Sequence, residues 1–284
     1  MPHVGIVTDS TCDLGPEELA GLDVRMVPLT VHLGDKHFAD WIDLRPDEFY
    51  PMLSAAAELP TTSQPSPADF SAVYESLAAE GCDEIVVVTL SAALSGTFES
   101  ATLAATTSPI RVRIVNGKRA SQATGLIVKA AAEARASGLD GAGVEARAIE
   151  VAGVTRLFFL LDTLDYLVKG GRAGKATGLA AALLNIKPVL EVNADGIIEP
   201  FKKVRGRAQA IAALAEHVAE DSRRNGRMRI AMLHAAQTKD AEELEAAILA
   251  AGADIVIESH GVIGAVIGVY TGPGAVGVAY YPVG

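Results

Sequence analysis

The chain has 284 residues, half of them hydrophobic, and a formal net charge of −11 at pH 7. That length allows one large or two modest domains with a sizeable core, and the negative charge argues against a nucleic-acid partner, whose phosphates it would repel. The opening "MPHVGIVTDS" lacks the basic and long apolar regions of a secretory signal, and the uncharged run 261–284 contains "TGPG", which favours two short strands over a membrane span. Cys12 and Cys82 show no metal-ligand spacing and read as buried free thiols in a reducing cytoplasm.

Strand-like and helix-like stretches alternate from the start. "VGIVT" (4–8) precedes "GPEELAGL", and "VRMVPLTVHL" (24–33) reads as a strand before a short helix near Pro46 to Ala56. "EIVVVTL" (84–90) precedes a helix from Ser95 to Ala105, and "IRVRIV" (110–115) one from Ser121 to about Ser137. These strands are continuous Val/Ile runs, as expected where helices cover both faces of a mainly parallel sheet, so the fold class is α/β. After "VTRLFFLLDT" (154–163) the pattern changes: "PVLEV" and "GIIEPFKKV" joined by "NADG" read as a hairpin. A helix from Arg207 to about Arg224, the strand "RIAMLHA", another helix and three short strands complete the chain. The expected division is an N-terminal domain over 1–155 and a C-terminal domain over 156–284.

Two nucleotide-binding patterns come close and fail. "GGRAGKAT" (170–177) lacks the first P-loop glycine, which is Lys169, and the Ser/Thr after its lysine, which is Ala176. "GPGAVG" (272–277) fits G-x-G-x-x-G but runs into a strand, so no helix N-terminus follows to receive a pyrophosphate. No G-x-S-x-G and no H-E-x-x-H is present, and the six histidines are scattered apart from His32 and His37, which read as a hairpin pair.

Two clusters of neutral donors stand out instead. In "PTTSQPS" (60–66), Ser66, Pro67 and Asp69 read as a helix start, which leaves Thr61, Thr62, Ser63 and Gln64 without a structural task. "TLSAALSGTFESA" (89–101) passes from a buried-type strand into a helix through Ser91, Ser95, Gly96 and Thr97. The carboxyl end of such a strand is where α/β proteins bind ligands, and a helix N-terminus there adds free amides. Side by side, the two loops could hold an anionic head without a countercharge, since each hydrogen bond to a carboxylate contributes roughly 1.5–3 kcal/mol. A basic stretch adds to this. From Lys169 to Arg207 eight basic residues (Lys169, Arg172, Lys175, Lys187, Lys202, Lys203, Arg205, Arg207) face three acidic ones (Glu191, Asp195, Glu199), which reads as an anion-handling or docking face.

Taken in order, "TDSTCDL" (8–14), "PTTSQPS", "LSAALSGTFESA", "LVKGGR" (167–172), "LNIKPVL" (184–190), "KVRGRAQA" (203–210) and "GPGAVGV" (272–278) cover nearly the whole chain. With these the sequence resembles the DegV family, fatty-acid-binding proteins of bacterial lipid metabolism. The resemblance implies an N-terminal α/β domain with a mainly parallel sheet and a C-terminal α/β domain with a mixed sheet. A long-chain fatty acid such as palmitate would lie in a tunnel between them. It implies a cytoplasmic subunit, not itself an enzyme, that presents the carboxylate to a separate ATP-binding kinase subunit similar to dihydroxyacetone kinase. Carried over, Thr62 binds the carboxylate, flanked by Thr61 and Ser63. Ser91, Ser95, Gly96 and Thr97 supply further donors, and Arg172 stands at the tunnel mouth where phosphate arrives. Tyr270 occupies a position that is often His in relatives. No catalytic residue, metal or cofactor is expected of this chain, and no stable membrane insertion. Further departures are Ala92, where the family usually has a second Ser, and Asn116-Gly117 in place of Asp-Ser. The rival reading is an enzyme acting on a small carbonyl or phosphorylated substrate, related to dihydroxyacetone-kinase-like folds, for which Asp9 is the nearest titratable candidate. A transcriptional regulator would need a helix-turn-helix signal that the sequence lacks.

Overall fold

The first strand, β1 (Val4–Asp9), is buried along its whole length, as a Val/Ile run covered on both faces must be. In the computed structural model, which describes residues 3–182 and 187–283, it lies inside a sheet of four parallel strands. The start of "LNIKPVL" and the Lys187 side chain lie outside the described residues. After α1 (Pro16–Gly21), β2 (Val24–Val27) joins one side of β1. The run 24–33 does not continue as one strand. It breaks at Pro28, which has no N–H for the ladder, and β3 (Thr30–Leu33) enters a different, three-stranded sheet. There β4 (Lys36–Ala39) returns antiparallel, with His37 opposite His32. After α2 (Pro46–Ala55), β5 (Thr61–Ser63) pairs with the other edge of β3.

α3 (Pro67–Ala79) begins as its sequence implies. Ser66 Oγ accepts from the Asp69 N–H at 3.3 Å, and the Asp69 carboxylate accepts from the Ser66 N–H at 2.7 Å. β6 (Glu84–Thr89), α4 (Thr97–Ala105) and β7 (Arg111–Asn116) complete the parallel sheet in the order β2-β1-β6-β7. α5 (Gln122–Ala136) follows, then α6 (Gly141–Val154), a helix that the sequence reading did not separate from its surroundings.

Residues 156–282 form the larger, mixed sheet. β8 (Arg156–Leu160), α7 (Asp165–Lys169), β9 (Lys187–Val192) and β10 (Ile198–Val204) come first, and β9 and β10 are the antiparallel hairpin expected around "NADG". α8 (Arg207–Asn225), β11 (Met228–His234), α9 (Thr238–Ala250) and β12 (Ile255–Val262) follow. The expected run of three short strands is interrupted by α10 (Ala265–Thr271) before β13 (Val276–Pro282). Its Val- and Ile-rich sequence reads as a strand, but carboxylates from distant residues satisfy its leading amides and hold it helical: Asp13 accepts from Gly264 N–H at 2.9 Å and Asp40 from Ala265 N–H at 3.1 Å. The sheet order is β10-β9-β8-β13-β11-β12, with only β11 and β12 parallel.

The two halves interlock. α5 packs on β1 and β6 of the parallel sheet and on β11 and β13 of the mixed one, while α10 leaves its own sheet to pack on α2, β3 and β5. Position 155, where the sequence pattern changes, falls in the turn between α6 and β8. Among the described residues no helix is long and apolar enough to cross a membrane.

One glycine sets the shape of the mixed sheet. Gly277 pairs with Phe159 of β8 and Leu233 of β11, and a Cβ on it would stand 2.4 Å from the Phe158 carbonyl oxygen. With Ala275 and Ala279 two residues to either side, it leaves a trough of small residues between the two larger neighbours. Gly277→Ala should therefore cost about 1–3 kcal/mol by forcing β8 and β13 apart. Gly153→Ala, in α6 with open space around its would-be Cβ, should instead stabilise by about 0.4–1 kcal/mol. Denaturant unfolding of both variants checks the pair of signs.

Candidate functional site

Above that trough lies a cavity of about 250 Å³. One wall is the face of the mixed sheet, with Leu157, Phe159, Val192, Ile198 and Leu233. The opposite wall comes from the ends of the parallel strands, with Leu29, Leu90, Leu94 and Ala120. The side is closed by the α10 segment through Ile263, Val266 and Ile267. Apolar side chains dominate this lining, and the parallel strands meet it at their carboxyl ends, where α/β sheets leave room for ligands.

The polar groups are interconnected at the rim. Thr62 Oγ1 and the Tyr270 hydroxyl share a hydrogen bond of 2.5 Å. The Arg172 guanidinium lies over the Tyr270 ring, 4.9 Å from its centroid. It donates through Nε to the Leu94 carbonyl at 3.4 Å and through Nη1 to the Gly170 carbonyl at 2.8 Å. Both acceptors are neutral, so the charge of Arg172 is solvated by backbone and ring rather than cancelled. The two glycines before it have separate reasons. A Cβ on Gly170 would lie 2.4 Å from the Tyr270 ring, and Gly171 has a φ of +72°, which only glycine adopts without strain.

Of the nine candidate ligand-binding residues, Thr62, Ser63, Ser95, Arg172 and Tyr270 line the cavity, together with Gln64, Ser121 and Thr271. Thr62 faces inward to Tyr270, whereas Ser63 Oγ turns to His32 Nε2 at 2.9 Å. Ser95 Oγ hydrogen-bonds Thr97 Oγ1 at 2.9 Å, and Thr97 stands behind it, fully buried. Gly96 is where Gln64 fits. A Cβ there would meet the Gln64 Oε1 at 2.3 Å, and Gln64 in turn donates to Ser100 Oγ at 3.2 Å. The first-turn amides of α4 carry no side-chain cap. Thr61 is exposed on β5 and does not reach the cavity. Ser91 does not reach it either: its hydroxyl donates to the Gly196 carbonyl at 2.9 Å, pinning the β9–β10 turn to the end of β6. Sequence pattern could not separate Ser91 from Ser95, because what divides them is a partner more than a hundred residues away.

Part of the basic stretch is already paired. Lys175 pairs with Glu199 at 2.6 Å, Arg207 with Asp240 at 2.6 Å and Asp162 at 3.0 Å, and Lys202 and Lys203 are exposed on the edge strand β10. Asn116 has a local task, since its Oδ1 accepts from the Lys118 and Ala92 N–H groups at 3.0 and 3.3 Å.

Asp9 lies beneath the rim. Its carboxylate accepts from Thr11 N–H at 2.9 Å and Leu90 N–H at 2.8 Å, joining the ends of β1 and β6. Burial raises its pKa, opposed by those hydrogen bonds. It does not line the cavity, and the only ionisable side chains among the described lining residues are Arg172 and Tyr270. Such a lining offers anion recognition and no proton carrier poised near neutral pH.

A model of the DegV family of uncharacterised proteins matches residues 3–283. A DegV domain-containing protein of Deinococcus radiodurans is 40% identical over 281 residues, 98% of each chain. Among solved structures, a DegV family protein from Thermus thermophilus described for its fatty acid binding superposes with a TM-score of 0.91 at 34% identity, over 99% of this chain and 100% of the other. A hypothetical protein from Thermotoga maritima, described as revealing a fatty acid binding function, gives 0.88 at 32% identity over the full length of both. With the same topology end to end, the chain belongs to the DegV family.

Proposed function

We propose that this protein binds a long-chain fatty acid in the cavity and presents its carboxylate to a separate ATP-dependent kinase subunit for conversion to the acyl phosphate. The observation that carries the reading is the asymmetry of the cavity. Its lining is mainly apolar, with Ser121 already engaged by Asp13 at one end and, at the other, a rim where neutral hydroxyls converge with an arginine that has no acidic partner among the described residues. An aliphatic chain gains about 0.8 kcal/mol per buried methylene in such a space. Its anionic head meets donors that need no deprotonation. Thr62 and Ser95 are the carboxylate donors in this scheme, with Tyr270 behind Thr62.

The division between binding and presentation also rests on chemistry. A carboxylate held by hydroxyls stays nucleophilic enough to attack a phosphoryl group, whereas a full ion pair would stabilise its ground state. Arg172 serves the incoming phosphoryl group, whose oxygens suit a planar fork of donors. A small-carbonyl enzyme is disfavoured because the rim offers no acid–base pair among the described residues.

Two measurements test this. Denaturing extraction of purified protein followed by mass spectrometry should find close to one fatty acid per chain, or ligand-free protein should take up added palmitate to that level. Occupancy far below one with no uptake would refute the lipid reading. Arg172→Ala should hold palmitate affinity within about threefold, under ~0.7 kcal/mol. With ATP and a cognate kinase subunit, the same variant should lower acyl-phosphate formation by roughly a hundredfold or more. Collapse of binding with normal turnover at saturating palmitate would put Arg172 on the carboxylate instead.

A further inference from the structure

The segment that closes the side of the cavity is attached in an unusual way. Between Gly264 and Gly272 it contributes Val266, Ile267, Tyr270 and Thr271 to the lining. At its far end Tyr270 reaches Thr62 and the Arg172 guanidinium at the rim. At its near end three amides need acceptors, and none comes from its own sheet. Asp13 Oδ1 accepts from Gly264 N–H at 2.9 Å, and Asp40 Oδ1 accepts from Ala265 and Val266 N–H at 3.1 and 3.4 Å. Asp13 Oδ2 accepts from the Ser121 hydroxyl, which ties the same carboxyl to the start of α5. Both carboxyls are buried, at 2% and 0% exposure. Each end of the segment is a glycine: Gly264 lets Trp41 and the Asp13 carboxyl approach closer than a Cβ would allow, and Gly272 has a φ of +72°, which only glycine adopts without strain.

We propose that Asp13 and Asp40 are the latch of a gate: the Gly264–Gly272 segment is the wall that opens to admit and release the ligand, and these two carboxyls hold it shut. Among the described residues these two carboxyls are the acceptors of those three amides, so for the wall to part from the N-terminal half both carboxyls must be given up to water. Among the described residues the groups facing the pair are Asp9 at the end of β1, Ser10, the Cys12 thiol, Ser121, Trp41 and, from α2, Tyr50; none is basic. Tyr50 adds a direct tie, donating from its hydroxyl to the Ile263 carbonyl at 3.0 Å.

The latch is pH-sensitive, and its sign follows from burial. Burial pushes Asp40 from 3.8 up to about 7, against hydrogen bonds from Ser10, Val266 and Ala265 that pull it down. Opening returns the carboxyl to water and to its ordinary range. The closed wall therefore holds a proton that the open wall releases. Burial also pushes Asp13 well above the ordinary carboxyl range, so closure is strongest at acid pH, weakens as pH rises through about 7 on account of Asp40, and is weakened further on account of Asp13.

Hydrogen exchange of the protein as purified tests the latch without requiring a ligand. Protection of the 264–271 amides, corrected for intrinsic exchange and referred to β11, should fall by at least about tenfold between pH 6 and pH 8. In Asp40→Asn the fall should be about tenfold smaller over the same range, because only Asp13 then titrates with the opening. Protection that tracks β11 at every pH in the wild-type protein would overturn the latch. The gate itself, which rests on the lipid reading above, is tested by release of bound palmitate, expected to accelerate about tenfold over the same range. Loosening of the segment with unchanged release would place the opening elsewhere and overturn the gate. A protein that takes up no palmitate refutes the lipid reading, while pH-dependent loosening would still support the latch. Should Asp40→Asn fail to fold, the wild-type exchange profile decides the matter alone.

Discussion

Three amides at the start of α10 find their acceptors on carboxyls 251, 225 and 226 residues away in sequence, and the cavity exists because of this contact. Without it α10 has no reason to be a helix or to leave the mixed sheet for α2, β3 and β5. With it the two halves enclose a space that neither could close alone. The cost is two carboxyls taken out of water: Asp13 accepts on both oxygens, whereas Asp40 accepts on Oδ1 alone and its Oδ2 is buried without a partner among the described residues. The "TDSTCDL" stretch is thereby explained: Asp9 ties two strands of the parallel sheet, Ser10 accepts from the Leu29 N–H within the same half, Asp13 reaches across to the other half, and the loop between is fully buried.

The rim follows from the same docking. By placing Tyr270 against Thr62, α10 completes a set of donors from β5, the loop before α4, the turn after α7 and its own last turn. No single loop carries the site. The proposed role needs such convergence, because a carboxylate held by neutral donors must be met from several directions, each contributing a modest amount. Tyr270 brings a neutral hydroxyl to the rim rather than a second cation. In this chain the only positive charge lining the cavity, among the described residues, is Arg172.

Much of this was legible in the sequence because it is local. Val/Ile runs gave the parallel strands, Ser66-Pro67-Asp69 gave the start of α3, and the Asn-Ala-Asp-Gly turn gave the β9–β10 hairpin. Where the reading failed, either a single residue inside the stretch or a distant partner had decided the outcome. Pro28 divided one apparent strand between two sheets, and α10 overrode a β-branched composition through Asp13 and Asp40. Ser91 and Ser95 look alike in sequence, yet one is spent on Gly196 while the other lines the cavity. Likewise, the +5 balance between Lys169 and Arg207 counts charges without seeing that Lys175 and Arg207 are already paired.

The central claim is that neutral hydroxyls hold a carboxylate at the end of an apolar cavity. Its most direct test compares the Kd of palmitic acid with that of hexadecanol in the wild-type protein and in Thr62→Val/Ser95→Ala. These share a chain and differ at the head, so the ratio isolates the rim. The account expects the wild type to prefer the acid by at least about tenfold, from net hydrogen bonds to a charged group of roughly 1.5–3 kcal/mol. The double variant should bring the two ligands within about threefold of each other, mainly by weakening the acid. Equal losses for acid and alcohol would contradict it, and would make these hydroxyls part of the scaffold rather than the site.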